Sequence, residues 1–324
     1  MRILIFFVEI FSFLLYTKII IYDIIDIIVW FFIRITERKI KMADNKRYGD
    51  KNRRPDRNQK RDGRPNNKYT RSEQNVQTEE AQEGLIIGRN AVRELLRSGR
   101  DVDKLLVQKG NREGSIVVIV AEAIERGIPV VESDKAKLDA MSGFVPHQGV
   151  IAMASEKEYC TVEDILQIAE ERGEAPLIVI ADGITDPYNL GALIRCAEGA
   201  GAHGLIISKR RAVGLTPLVA KSSTGAIEHL AIAKVSNIAN TVRSLKEKGI
   251  WVFAAEAGGT PYYETNFKGP CALVFGSEGN GVSSVVIENC DLLTSIPMYG
   301  HVNSFNISTA AAVILCEAAR QNRN

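Results

Sequence analysis

Apolar residues recur at strand and helix spacing from residue 84 to the C-terminus, and their period predicts two α/β units joined by a helix. In the first unit LIIGRNAVRELLRSG (85–99) turns helical after Asn90, a candidate cap. DKLLVQKG (103–110) reads as a strand, SIVVIVAEAIERG (115–127) as a helix ending at Gly127, and IPVVES (128–133) as a second strand. KAKLDAMSG (135–143) predicts a short helix and HQGVIAMAS (147–155) a closing strand. TVEDILQIAEERG (161–173) is the helical connector.

The second unit alternates strand and helix, which favours a mainly parallel sheet. APLIVIAD, HGLIISK, LAIAKV, WVFAAEA, CALVFGSE and DLLTSIPM are its strands. NLGALIRCAEGAG, the Pro-started PLVAKSSTGAIEH, SNIANTVRSLKEKG and the long apolar NISTAAAVILCEAAR are its helices. The domain expectation is therefore 84–155, a linker over 156–174, and 175–324.

The chain before residue 84 breaks this pattern. Residues 1–41 are rich in Ile, Phe and Tyr, but Glu9, Lys18, Asp23 and Asp26 interrupt them. No charge-free run reaches the roughly 18–20 residues that a membrane span needs. No small-residue cleavage site follows, as a signal peptide would require. Synthesis is expected to start at Met42, with 1–41 an artefact of start-site choice and no membrane partner; a membrane anchor is the alternative reading of 1–41. Residues 42–83 form a basic tail with the composition of a disordered segment: eleven Lys or Arg stand against three Asp between Lys46 and Arg71. Such a tail is attracted to polyanions.

The formal net charge of +2 hides that asymmetry, and a 45% hydrophobic fraction is ordinary for a globular protein. Cysteines at 160, 196, 271, 290 and 316 form no C-x-x-C pair and no His lies at metal-ligand spacing, so neither a zinc site nor a disulfide framework is expected. A reducing cytoplasm fits this usage.

Candidate chemistry sits in three glycine-rich turns: DGITDPYNLGALIRCAEGAGA (182–202), LVFGSEGNGVSS (273–284) and IPMYGHVNSFNISTAAAVILCE (296–317). Each follows a strand, where α/β folds hold ligands. Gly279-x-Gly281-x-x-Ser284 lacks the third glycine of a dinucleotide fingerprint, and the P-loop and nucleophile-elbow patterns are absent.

Together the three segments resemble the SpoU, or TrmH-like, family of RNA ribose 2′-O-methyltransferases. The matching residues are Asn189, Gly191 and Arg195; Gly276, Glu278, Gly279 and Gly281; and Pro297, Ser304, Asn306 and Ser308. IIGRNAV and PHQGV also match the family's small substrate-binding domain. The resemblance implies an α/β SPOUT methyltransferase domain with a trefoil knot, preceded by a small N-terminal α/β substrate-binding domain. It further implies a homodimer and S-adenosylmethionine as cofactor, with a guanosine of 23S ribosomal RNA as target. Tyr299 and His301 depart from the family pattern, as does the basic tail.

A ribose hydroxyl is a poor nucleophile at neutral pH, so a site that methylates it must align it and help remove its proton. On the resemblance Arg195, Glu278, Asn189, Ser304 and Asn306 are the catalytic set. A guanidinium stays protonated, so Arg195 is expected to clamp phosphate and stabilise charge on the 2′-oxygen. Glu278 is the proton acceptor or orients Arg195; the bland alternative is a structural ion pair between them. Asn189, Ser304 and Asn306 have helix capping as their bland alternative. Backbone at Gly276, Ile296 and Phe305, opened by Gly279 and Gly281 and lined by Met298, is expected to hold the cofactor's adenosine. Arg89, Asn90, His147 and Gln148, with Lys209, Arg210 and Arg211, are candidate RNA contacts. The sequence leaves open a tRNA ribose methyltransferase, a resistance methyltransferase and a knotted RNA-binding protein without activity.

Overall fold

The computed structural model describes residues 84–110 and 113–323. The expected extension (1–41) and basic tail (42–83) lie outside the described residues. Among the described residues no helix is long and apolar enough to cross a membrane.

The first unit comprises β1 (Leu85–Ile87), α1 (Arg89–Ser98), β2 (Val102–Gln108), α2 (Ser115–Glu125), β3 (Val130–Ser133), α3 (Lys135–Met141) and β4 (Val150–Ala154). Its sheet runs β1-β4-β2-β3, with β4 antiparallel to both neighbours and β2 parallel to β3. Asn90 does not cap α1. Gly88 holds the N-cap position at φ 97°, and the Gln148 side chain accepts the Arg89 N–H at 2.9 Å, so the cap comes from 59 residues away.

The connector α4 (Val162–Arg172) starts with a reciprocal cap in which the side chains of Thr161 and Asp164 each accept the other's backbone N–H, and it stops at left-handed Gly173. There follow β5 (Leu177–Asp182), α5 (Pro187–Gly199), β6 (Gly204–Ser208), α6 (Pro217–Ser222), β7 (Ala231–Val235), α7 (Ile238–Glu247), β8 (Trp251–Pro261), β9 (Cys271–Gly276), α8 (Ser284–Ile287), β10 (Leu292–Ser295) and α9 (Ile307–Arg323). The six strands pair in parallel in the order β10-β8-β9-β5-β6-β7. β9 thus lies between β5 and β8, and the last strands are not laid down in chain order.

Both faces of this sheet are covered, as expected for parallel strands. Along β5, Leu177, Val179 and Ala181 face one core with α5 and α9; Ile178 and Ile180 face the other with α4 and α7. Each of the larger of these side chains (Leu, Val, Ile), when buried, stabilises the fold by about 1.5–3 kcal/mol. The first core is continuous with that of the small unit through Ile86, Val92 and Leu95.

One predicted helix is cut short. PLVAKSSTGAIEH is helical only to Ser222; Thr224 (φ 54°) and Gly225 (φ 95°) turn the chain into a 3-10 turn, Ala226–Glu228. A Cβ on Gly225 would lie 2.5 Å from the Glu94 side chain, so α1 approaches too closely for a larger residue. The two units also meet where Arg100 pairs with Glu228 at 3.2 Å and His229 with Glu94 at 2.9 Å.

Candidate active site

The C-terminal ends of the parallel strands carry the three glycine-rich turns, so residues some 117 positions apart come together. Asp186 caps α5 by accepting the Tyr188 N–H, and Pro187 occupies its first turn. Asn189 is therefore not the cap. It is buried in the first turn, where its Nδ2 donates to Glu278 Oε2 at 3.0 Å and its Oδ1 accepts from Asn306 Nδ2 at 3.1 Å. Asn306 Oδ1 in turn accepts the backbone N–H of Ser308 at 2.9 Å and its hydroxyl at 2.6 Å. Asn306 thus caps α9 and also reaches across to Asn189; the two roles coexist.

The turn after β9 is shaped by its glycines. Ser277 and Gly281 exchange backbone hydrogen bonds at 3.0 and 2.9 Å. A Cβ on Gly276 would sit 1.9 Å from the Gly281 carbonyl carbon, so this glycine is required first by the chain's own turn. Glu256 of β8 accepts the Val282 N–H beneath the turn, and Asp182 accepts from the Ser283 N–H and hydroxyl at 2.8 and 2.6 Å.

A cleft of about 430 Å³ opens beside this network. Gly276, Glu278, Gly279, Gly281, Ile296, Met298, Ser304, Phe305 and Asn306 all line it. Every expected cofactor residue is therefore in one cavity, together with three of the five catalytic candidates. Between Ile296 and Asn306 no backbone N–H donates to another described residue, so the loop offers its amides to whatever enters. Glu256 also lines the cleft and was not singled out from sequence; nothing in the strand run WVFAAEA separates it from an ordinary exposed acid.

Arg195 stands apart. It is exposed, does not line the cleft, and makes no ion pair with Glu278. The structural ion pair is thus absent, and Asn189 orients Glu278 instead. Six residues along a helix correspond to a rotation of about 120° away from Asn189. Cys196, one residue on, does face α9, with its Sγ 3.4 Å from the Ser308 carbonyl oxygen.

The expected RNA contacts divide into two kinds. Lys209, Arg210 and Arg211 are exposed at the end of β6 and form no ion pair among the described residues. In the small unit the polar residues bind each other. Arg89 Nε donates to the Gln148 carbonyl at 2.9 Å, beside the cap already described. His147 is buried, with Nε2 3.1 Å from Asp139 Oδ1 and Nδ1 accepting the Gly149 N–H at 3.0 Å. With both ring nitrogens engaged, His147 has none to offer RNA and instead holds the loop in shape. Asn90 is exposed.

A second cleft, of about 390 Å³, lies between the units and is lined by Arg100, Lys157, Tyr159, Glu228 and Lys234. Burial pushes the Glu228 carboxyl up and the Lys157 ammonium down. Of the cysteines, Cys271 is buried and its thiol is pushed up to about 12 by that burial, while Cys316 is exposed. Among the described residues no group of three His, Cys, Asp or Glu is placed to hold a metal.

Known proteins resemble the whole of this arrangement. A model of the SpoU rRNA Methylase family matches residues 176–316, and one described as RNA 2'-O ribose methyltransferase substrate binding matches residues 85–160. The Bacillus subtilis (strain 168) protein named "Putative TrmH family tRNA/rRNA methyltransferase YacO" is 43% identical over 242 residues, covering 74% of this chain and 96% of its own. Its namesake in Staphylococcus haemolyticus (strain JCSC1435) is 42% identical over 238 residues, covering 73% and 95%. Among solved structures, an RNA 2'-O ribose methyltransferase superposes with a TM-score of 0.64 at 26% identity, covering 76% of this chain and 92% of that one. The SpoU methyltransferase AviRb from Streptomyces viridochromogenes, in complex with AdoMet, superposes with a TM-score of 0.61 at 25% identity, covering 77% and 94%.

Proposed function

Since the chain belongs to the SpoU/TrmH family of RNA methyltransferases, we propose that it methylates the ribose 2′-hydroxyl of a guanosine in 23S ribosomal RNA, using S-adenosylmethionine. The observation that carries this reading is the Asn189–Glu278–Asn306 network, which gathers three distant segments at the wall of one cleft.

The cleft fits the cofactor. Ile296, Met298 and Phe305 supply apolar surface for an adenine ring, and the backbone amides of their loop, without a partner among the described residues, supply donors. When bound, S-adenosylmethionine supplies an electrophilic methyl carbon. The chain's own residues supply the rest. Asn189 occupies Glu278 Oε2, which fixes the carboxylate and leaves Oε1 without a partner among the described residues to accept the 2′-hydroxyl proton. Ser304 and Asn306 border the place where the ribose sits. The Arg195 guanidinium, with its planar fork of N–H donors, stabilises negative charge on the 2′-oxygen or its neighbouring phosphate.

The position of Arg195 outside its own cleft supports a homodimer in which each protomer lends this residue to its partner. The strand order β10-β8-β9-β5, with late strands inserted beside early ones, supports a chain that threads a trefoil knot. The three exposed basic residues 209–211 suit backbone phosphates, and a cytoplasmic location follows from an RNA substrate of this kind.

The test is methyl transfer from tritiated S-adenosylmethionine to unmodified 23S ribosomal RNA and to unmodified tRNA by the purified protein. Label in a 2′-O-methylguanosine of the ribosomal RNA is the expected result. Label in tRNA alone would move the substrate, and none in either would remove the reading.

A further inference from the structure

Two exposed tyrosines lie on segments that adjoin the cleft-lining loop, and the cleft's chemistry does not use them. Tyr299 is 90% exposed and Tyr263 is 52% exposed. Tyr299 directly follows the cleft residue Met298, in the loop that later supplies Ser304 and Asn306. Tyr263 follows the end of β8. Its neighbour Tyr262 is tied to the end of β10 by an N–H donated to the Ser295 carbonyl at 2.8 Å, which brings the segment to the root of the same loop. Tyr262 packs edge-on against Tyr263, with ring centroids 5.3 Å apart and an interplanar angle of 78°. The Tyr263 and Tyr299 hydroxyls lie against one another, an arrangement that raises the Tyr263 pKa.

Large rings held open to water at the edge of a reaction cleft call for an occupant. Even with Val302 and Phe305 of the same loop, which are also exposed, the apolar patch is a few side chains, against the roughly 20–30 residues a side of a stable protein interface. Glu264 adjoins the pair and repels phosphate, so the surface suits the uncharged face of a base better than the RNA backbone. An RNA strand that presents one ribose to Glu278 must splay the adjoining bases out of their stack, and aromatic faces are where such bases settle.

We propose that Tyr263 and Tyr299 form a stacking platform for an unpaired base of the RNA substrate, next to the nucleotide whose ribose enters the cleft. The proposal rests on the RNA-methyltransferase reading, and it deepens that reading by assigning substrate recognition to the loop residue Tyr299. Tyr299 and Tyr263 are positioning residues: they set where the strand lies and touch no reacting atom.

The experiment measures binding of the full-length protein to a short unstructured oligoadenylate and to the same strand with abasic riboses. The double variant Tyr263→Ala, Tyr299→Ala is expected to bind the oligoadenylate roughly ten-fold more weakly or worse. Its affinity for the abasic strand and for S-adenosylmethionine is expected to stay unchanged, and Tyr299→Phe, which keeps the ring, to bind like wild type. Undiminished oligoadenylate affinity, or an equal loss on both strands, would overturn the platform. So would a shift of the double variant to a smaller oligomer by sedimentation, because the rings would then belong to a contact between copies. A wild type that methylates RNA while the variants keep full affinity sinks the platform and spares the activity. A wild type that stacks oligoadenylate through these rings but transfers no methyl group does the reverse.

Discussion

Two polar clusters, both readable in the sequence, are used in opposite ways. In the small unit Arg89 binds Gln148, and His147 binds Asp139 and the Gly149 N–H; a helix start is capped and a loop is closed. In the large unit Asn189, Glu278 and Asn306 join three separate segments, yet among the described residues one carboxylate oxygen and a run of loop amides have no partner beside an open cleft. A polar group buried with all its partners stabilises; one held in place with capacity to spare is equipped to bind. The contrast separates residues that keep the fold from residues proposed to do chemistry, although both kinds sit in glycine-punctuated turns.

The largest expected effect falls on Arg195. Arg195→Ala should lower methyl transfer by about 10²–10³-fold, the usual cost of removing one charge-stabilising group, and leave the melting temperature unchanged because the side chain is exposed. Mixing Arg195→Ala with Glu278→Gln protomers should then restore about a quarter of wild-type activity, since half the random dimers hold one intact site. No recovery on mixing would show that each protomer uses its own arginine.

Gly276→Ala comes next. Its Cβ would meet the Gly281 backbone at 1.9 Å, so the turn must move, at a cost of about 1–3 kcal/mol in denaturant unfolding. S-adenosylmethionine binding should fall with it. Gln148→Ala is the counterpart from the other cluster. Loss of the α1 cap should cost about 0.5–2 kcal/mol of stability, with methyl transfer per folded molecule retained. A large drop in RNA affinity without a drop in stability would return Gln148 to the binding surface.

How far the sequence carried the reading follows the same divide. Strands and helices were legible because β5 alternates between two cores and the helices repeat at their own period. The three turns were legible through a family resemblance, and the structure gathers two of them, with Asn189 from the first, around one cleft. Contacts between distant segments were not legible. The cap on α1 comes from Gln148, Asp186 rather than Asn189 caps α5, and the helix after Pro217 breaks where Gly225 meets Glu94. Each depends on a partner that local periodicity cannot name. Glu256 escaped for the same reason: only the fold puts it beneath the Gly281 turn.

The smallest effect belongs to a surface pair in neither cluster. Arg320 and Gln321 hold the Glu317 carboxyl down to about 2, from an ordinary value of 4.5. A depressed carboxyl contributes stability above its unfolded pKa and loses it as pH falls through the folded one. Glu317→Gln should therefore cost a few tenths of a kcal/mol at pH 7, the scale of a solvent-screened helix pair. The difference from wild type should shrink between about pH 4.5 and about pH 2. Thermal unfolding across that range checks it.

The central claim is that the cleft bounded by Glu278 and Asn306 methylates ribose in ribosomal RNA. Its most direct test is a ribose-methylation map of total RNA from cells with and without this gene. The account predicts loss of one 2′-O-methylguanosine in 23S ribosomal RNA, restored by the wild-type gene and not by Arg195→Ala. An unchanged map, or full restoration by Arg195→Ala, would contradict it.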